Sequence, residues 1–180
     1  ASLQVVPYYN KPEQDGMFAH FKAIADAVSM PHILYNVPGR TVADMSNETV
    51  LRLAELENIV GIKDATGDLA KGKQLLAQVP DGFSVYSGDD ETALQLIAAG
   101  AKGDISVTAN VAPAMMSEMI AAALRGDMQT AEAYNQKLMG LHSALFVESS
   151  PAPTKWALQQ MGKLENILRL PIIPLSPQGE

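Results

Sequence analysis

Apolar residues fall into short unbroken runs separated by longer stretches with helical spacing. The runs are Leu3–Pro7, His32–Asn36, Ile59–Lys63, Phe83–Ser87 and Gly103–Val107. They are short and apolar without strict alternation, the pattern of strands buried on both faces. Between them, Gly16–Val28 places Met17, Phe21, Ile24, Ala25 and Val28 on one helical face. Ser46 caps a helix carrying Val50, Leu51, Leu53, Ala54 and Leu56, with an acid in its first turn. Helices are also predicted over Leu69–Gln78, Thr92–Ala99, Pro113–Leu124, Met128–Leu145 and Pro153–Met161. Val37–Thr41 reads as a loop because Pro38-Gly39 is a strong turn signal. Arg169–Pro174 reads as an extended, proline-limited tail.

Strand and helix alternate five times before the closing helices. That order predicts an α/β fold with a parallel sheet and right-handed crossovers. No Gly-x-Gly-x-x-Gly follows a strand, which weakens the dinucleotide-binding form of a doubly wound sheet. The other form is a (β/α)8 barrel, which needs eight units and roughly 250 residues. The expectation is therefore a partial TIM barrel, its last five βα units followed by C-terminal helices. Residues 1–111 would hold the five strands and their helices, and residues 112–180 the last barrel helix and the C-terminal helical region. Such a piece leaves two sheet edges and one side of the barrel interior uncovered.

Composition narrows the function classes. The 180 residues are 47% apolar and carry a net charge of −7, which argues against nucleic acid or an anionic membrane as main partner. Without cysteine, neither a disulfide framework nor a zinc–thiolate site is possible. No apolar run approaches the roughly 20 residues of a membrane span, and no signal-peptide pattern precedes Ala1. A soluble, cytoplasmic protein is the expectation.

Barrel chemistry gathers at the carboxyl ends of strands. Those ends deliver Tyr8 and Tyr9, then Tyr35-Asn36 with Arg40 beyond, then Lys63, then Ser87-Gly88-Asp89-Asp90, then Thr108 and Asn110. Two readings of Lys63 stand open. It is either a strand-end lysine reaching solvent, or an amine whose desolvation lowers its pKa and frees it to attack a carbonyl. The tyrosines can be core residues with wet hydroxyls or proton relays, and Arg40 a solvated loop residue or a carboxylate fork. Asp89-Asp90-Glu91 reads as charge at a helix start, not as a metal site. His20, His32 and His142 are assigned no chemistry.

Five motifs then stand in one order: Val6-Pro7-Tyr8-Tyr9-Asn10-Lys11-Pro12, Tyr35-Asn36-Val37-Pro38-Gly39-Arg40-Thr41, Gly61-Ile62-Lys63-Asp64-Ala65-Thr66-Gly67, Ser87-Gly88-Asp89-Asp90 and Ile105-Ser106-Val107-Thr108-Ala109-Asn110. Together they resemble the dihydrodipicolinate synthase and N-acetylneuraminate lyase family of pyruvate-dependent class I aldolases. The resemblance runs through Pro151-Ala152-Pro153-Thr154-Lys155 to Leu170-Pro171.

The resemblance implies condensation of pyruvate with aspartate-β-semialdehyde, in lysine biosynthesis, through a lysine Schiff base. It implies no cofactor and no metal, and a homo-oligomer built as a dimer of dimers. Lys63 resembles the imine-forming lysine, Tyr35 the tyrosine that moves protons around it, and Tyr9 the tyrosine that completes a neighbouring subunit's relay. Arg40 resembles the arginine that recognises the semialdehyde carboxylate, and favours the synthase over the lyase. The main-chain carbonyl of Ile105 and Gly88 resemble substrate-binding positions, and Tyr8 a contributor to the interface site where lysine inhibits. The alternatives within the resemblance are another pyruvate-dependent aldolase, or an inactive fragment acting only in assembly. The family's Gly-Thr-Thr-Gly-Glu segment, which binds the pyruvate carboxylate and completes the relay, has no counterpart in this chain.

Overall fold

The computed structural model describes residues 1–179. The chain divides into two compact units, Ala1–Ile105 and Ser106–Glu180. The first is built as β1 Ser2–Val5, α1 Gln14–Ala27, β2 His32–Asn36, α2 Pro38–Thr41, α3 Asn47–Ala54, β3 Ile59–Asp64, α4 Leu69–Leu76, β4 Ser84–Ser87 and α5 Ala93–Ala98. Its strands form one sheet in the order β1-β2-β3-β4, every neighbouring pair parallel. Sequential parallel order requires a crossover after each strand, and the helices supply them.

The two faces of the sheet differ. His32, Leu34 and Asn36 are buried, as are Ile62, Asp64, Val85 and Ser87. Met17, Phe21, Met45, Val50, Leu53 and Leu75 complete this helix-covered core. On the other face Ile33, Tyr35, Lys63 and Tyr86 are half-buried, while Leu3 and Val5 of edge strand β1 remain 48% and 37% exposed. The register skips Val60, since His32 pairs with Ile59 and Ile33 with Gly61. Beyond this bulge a Cβ on Gly61 would come within 2.5 Å of the Ser84 carbonyl oxygen, so only glycine lets β4 approach there.

Two expectations change. The Val37–Thr41 loop contains the short helix α2, because Pro38 occupies the first helical position, where a missing N–H costs nothing. Thr41 Oγ1 donates to the carbonyls of Val37 and Ala43, and Val42 leaves the helix in the left-handed region at φ +63°. The fifth strand, expected over Gly103–Val107, shrinks to an isolated parallel bridge between Ser87 and Asp104. Lys102 N–H donates to Val85, Ser87 N–H to Gly103, and Ile105 N–H to Ser87. Ser106 Oγ then accepts from Ala109 N–H and turns the chain into a 3-10 turn over Thr108–Asn110. Val107 is already helical, so local side-chain bonding wins over strand propensity.

The second unit contains that turn with α6 Pro113–Leu124, α7 Met128–Ala144 and α8 Ala152–Gln160. Met116, Met119 and Leu138 pack α6 against α7, the gap-filling use that methionines suit. Thr108 Oγ1 lies 2.7 Å from Nδ1 of the buried His142, which makes that histidine part of the helical core. Further on, the Glu148 carboxylate accepts from the backbone N–H of Ser176 at 3.2 Å and from its hydroxyl, which ties the tail down.

In the first unit Asn36 fastens the end of β2. Its Nδ2 donates to Asp44 Oδ1 at 2.8 Å, and its Oδ1 accepts from Met45 N–H at 3.1 Å. Lys71 Nζ donates to the same Asp44 oxygen at 2.6 Å. Gln14 joins the network by accepting from Ser46 N–H and Thr49 Oγ1. Asn36→Ala would leave the buried N–H of Met45 without its partner, so it should cost about 1–3 kcal/mol of stability. Urea unfolding of the protein carrying this chain checks it: an unchanged midpoint would show that the network contributes nothing.

Candidate active site

The candidate site is laid out by register. Tyr35 on β2 pairs with Lys63 on β3, and Lys63 pairs with Tyr86 on β4, so the three sit in one row on the half-buried face. Lys63 Nζ lies 4.3 Å from the centroid of the Tyr35 ring. The lysine stem fits because residue 88 is glycine: a Cβ there would come within 2.5 Å of Lys63 Cε. Gly88 N–H donates to the Asp64 carbonyl at 2.8 Å, which anchors the β4 end beside the lysine.

The electrostatics follow from burial. Desolvation lowers the pKa of the Lys63 amine, opposed by the carboxyls of Asp104 and Asp90 and helped by Arg40. Desolvation raises that of the Tyr35 phenol, again against Arg40. Tyr35 therefore keeps its proton and stays a donor, while Lys63 gives its proton up more readily than a surface lysine. α2 carries Arg40 into electrostatic reach of both, with its side chain exposed to solvent. A nucleophilic amine, a phenol donor and a guanidinium at one strand edge suit addition to a carbonyl carried by an acid.

Not every expected residue joins this group. Tyr8 and Tyr9 are exposed, Tyr9 at 92% and in the left-handed region at φ +65°, and neither forms a hydrogen bond through its side chain among the described residues. Ile105 is placed beside β4 by its N–H bond to Ser87. Asp89 behaves as a helix-start residue, accepting from Thr92 N–H and, at 2.6 Å, from Thr92 Oγ1. Among the described residues no group of three or more His, Asp or Glu is arranged to hold a metal ion.

Two acids were given no role by the sequence reading. Asp90, read there as charge at a helix start, is only 4% exposed. Asp104 was not singled out, yet burial, then the neighbouring Asp90 carboxyl, push its pKa up to about 9 against the pull of Lys63. The available signal was an acid inside the apolar run Gly103-Asp104-Ile105-Ser106-Val107.

The profile of the family described as dihydrodipicolinate synthetase matches residues 1–180. The chain belongs to the dihydrodipicolinate synthetase family. Within that family it is 60% identical over 176 residues to the 4-hydroxy-tetrahydrodipicolinate synthase of Nitrosospira multiformis, covering 98% of this chain and 59% of the relative. It is 61% identical over 178 residues to the synthase of Nitrosomonas eutropha, covering 99% and 61%. A solved dihydrodipicolinate synthase of Acinetobacter baumannii, chloride-inhibited and complexed with pyruvate, superposes with a TM-score of 0.97 at 56% identity, covering 99% of this chain and 62% of that one. The chain thus spans about 60% of the length of the curated family members it matches.

Asp104 makes a pH-dependent prediction with a definite sign. An acid whose folded pKa is raised adds stability that is whole below its unfolded value and is lost as pH rises through the folded one. Its contribution should therefore decline between the ordinary 3.8 and about 9. Asp104→Asn should flatten that decline and raise the thermal midpoint at about pH 8. Parallel midpoint-against-pH curves for the two proteins would overturn the assignment.

Proposed function

We propose that this chain is the carboxyl-terminal part of a dihydrodipicolinate synthase, which condenses pyruvate with aspartate-β-semialdehyde through a Schiff base on Lys63. The product would be 4-hydroxy-tetrahydrodipicolinate, on the route to lysine. In the whole protein, the four strands and the bridged segment would be five consecutive members of an eight-stranded barrel. The observation that carries the reading is a half-buried amine at the end of a parallel strand, its pKa lowered by desolvation, beside a phenol kept protonated.

The chemistry follows from those two states. The free amine of Lys63 adds to the pyruvate ketone, and the nitrogen loses a proton while the former carbonyl oxygen gains one. Loss of that oxygen as water leaves the imine. Tyr35 is placed to donate to the departing oxygen and to take a proton back in later steps. Arg40 receives the semialdehyde carboxylate in a bidentate fork. Ile105 offers its main-chain carbonyl to the bound keto acid, and Gly88 leaves space for the lysine stem and for substrate. Tyr9, exposed on its loop, serves a neighbouring subunit's site, and Tyr8 beside it contributes to an inhibitor site at the same subunit interface. The assembly is a homo-oligomer, a dimer of dimers, working in the cytoplasm.

Borohydride reduction in the presence of pyruvate should fix the adduct on Lys63 in the protein carrying this chain, with peptide mapping as the readout. An adduct on another lysine, or one that survives Lys63→Ala, would sink the mechanism. Arg40→Ala removes a charge-assisted contact, so the KM for the semialdehyde should rise about ten- to a hundredfold while that for pyruvate moves little. Equal effects on both constants would assign Arg40 to the fold instead.

A further inference from the structure

Arg40 stands in a loop that is closed at its base. Asn36 joins the two ends by donating to Asp44 Oδ1 at 2.8 Å and accepting from Met45 N–H at 3.1 Å. The Asn36 carbonyl accepts from Ala65 N–H, which fixes the same base to the end of β3. Inside the loop, α2 is a single turn. The Val37 carbonyl accepts from Arg40 and Thr41 N–H, and the Pro38 carbonyl from Val42 N–H. Among the described residues the Arg40 guanidinium itself makes no hydrogen bond and no ion pair. With no partner at its far end, its direction is set by the backbone it leaves from.

That backbone is strained two residues on. Val42 adopts φ +63°, where the Cβ of an L-residue crowds its own main chain, and a β-branched side chain makes the crowding worse. Burial does not offset the cost, since Val42 is 67% exposed. The neighbouring threonine does. Thr41 is buried, and its hydroxyl has one proton to give, with the Ala43 carbonyl at 2.8 Å and the Val37 carbonyl at 3.1 Å as acceptors. Ala43 follows Val42 and Val37 precedes α2, so one hydroxyl clasps the chain on both sides of the strained residue. Turning Val42 out of the left-handed region would draw the Ala43 carbonyl from that hydroxyl and open the turn that carries Arg40.

We propose that Thr41 is a positioning residue for substrate recognition: its hydroxyl holds Val42 in the left-handed region and so fixes the direction in which Arg40 meets the semialdehyde carboxylate. This rests on the reading of Arg40 as the carboxylate fork. A bidentate contact needs two N–H groups aligned with two oxygens at once, so a guanidinium that swings loses affinity although its charge is intact. Thr41 lies buried beneath the loop and acts only through it.

The test is steady-state kinetics, with a KM for each substrate, on the protein carrying this chain. The variants are Thr41→Val, Thr41→Ser, and Thr41→Val combined with Val42→Gly. Thr41→Val keeps the shape and removes the hydroxyl, so the KM for the semialdehyde should rise about three- to tenfold. The KM for pyruvate and borohydride trapping on Lys63 should stay as in wild type. Thr41→Ser keeps the hydroxyl and should behave as wild type. In the combined variant glycine adopts the left-handed region with nothing to hold it there, so the KM should return to within about twofold of wild type. An unaltered Thr41→Val, an impaired Thr41→Ser, a combined variant as impaired as Thr41→Val, or a rise in both constants overturns the proposal. Should Thr41→Val not fold, the combined variant decides. Folding with a wild-type KM supports the clasp, whereas failure to fold or a raised KM overturns it. Arg40→Ala, measured alongside, keeps the two failures apart. Equal effects of that variant on both constants defeat the reading of Arg40 and the proposal with it. A rise confined to the semialdehyde, with Thr41→Val unaltered, defeats only the clasp.

Discussion

Lys63 is held where two effects pull on one proton, desolvation releasing it and the carboxyls of Asp90 and Asp104 retaining it. The arrangement around it answers to that tension. Gly88 is glycine because the lysine stem occupies the space a Cβ would take. Tyr35 stands in register with Lys63, its ring under the amine and its phenol kept protonated by the same burial. A parallel sheet makes this economical, since neighbouring strands bring their carboxyl ends, and the residues there, to one edge.

The strand ends are held by polar networks outside the row of Tyr35, Lys63 and Tyr86. Asn36, next to Tyr35 in sequence, points to the helix side and ties β2 to Asp44 and Met45, while Lys71 from α4 ties in the same aspartate. A displacement of β2 by a fraction of an ångström would move Tyr35 relative to the amine. The Tyr35-Asn36-Val37-Pro38-Gly39-Arg40 segment thus combines two kinds of residue, those on the side of Lys63 and those that fasten the strand end. Pro38 at the first position of α2 sets the direction in which Arg40 leaves the sheet.

The chain spans part of its relatives' length and leaves residues of one sheet face exposed. It covers about 60% of the length of the curated relatives it matches, while the matched part superposes closely on a solved member. Leu3 and Val5, on the face that also bears Tyr35 and Lys63, are the residues the uncovered side of the sheet leaves wet. Their exposure and that of Tyr9 are what a covering surface would remove.

Much of the fold was legible in the sequence because the code for it is local. Apolar runs located β1 to β4, Ser46 announced α3, and Pro113 opened α6, each through a backbone preference of nearby residues. Lys63, Tyr35 and Arg40 could be picked out as candidates because polar groups at the ends of apolar strands are conspicuous. What distinguished a desolvated Lys63 from a solvent-reaching one was not local. It needed the register with Tyr35, the missing Cβ at Gly88 and two carboxyls that come from separate segments. Asp104 shows the limit most plainly. Its place within an apolar run hinted at an exception, but only folding removes it from water and then sets the Asp90 carboxyl against it, which together raise its pKa. The shortened fifth strand has the same lesson in reverse. Its apolar composition favoured a strand, yet the Ser106 hydroxyl bonded Ala109 and bent the backbone first. Sequence alone determined which residues could form strands and helices, because those preferences act between near neighbours. Tertiary structure decided which of those side chains are desolvated and which charges face them, because charge and burial act across space between residues far apart in the chain.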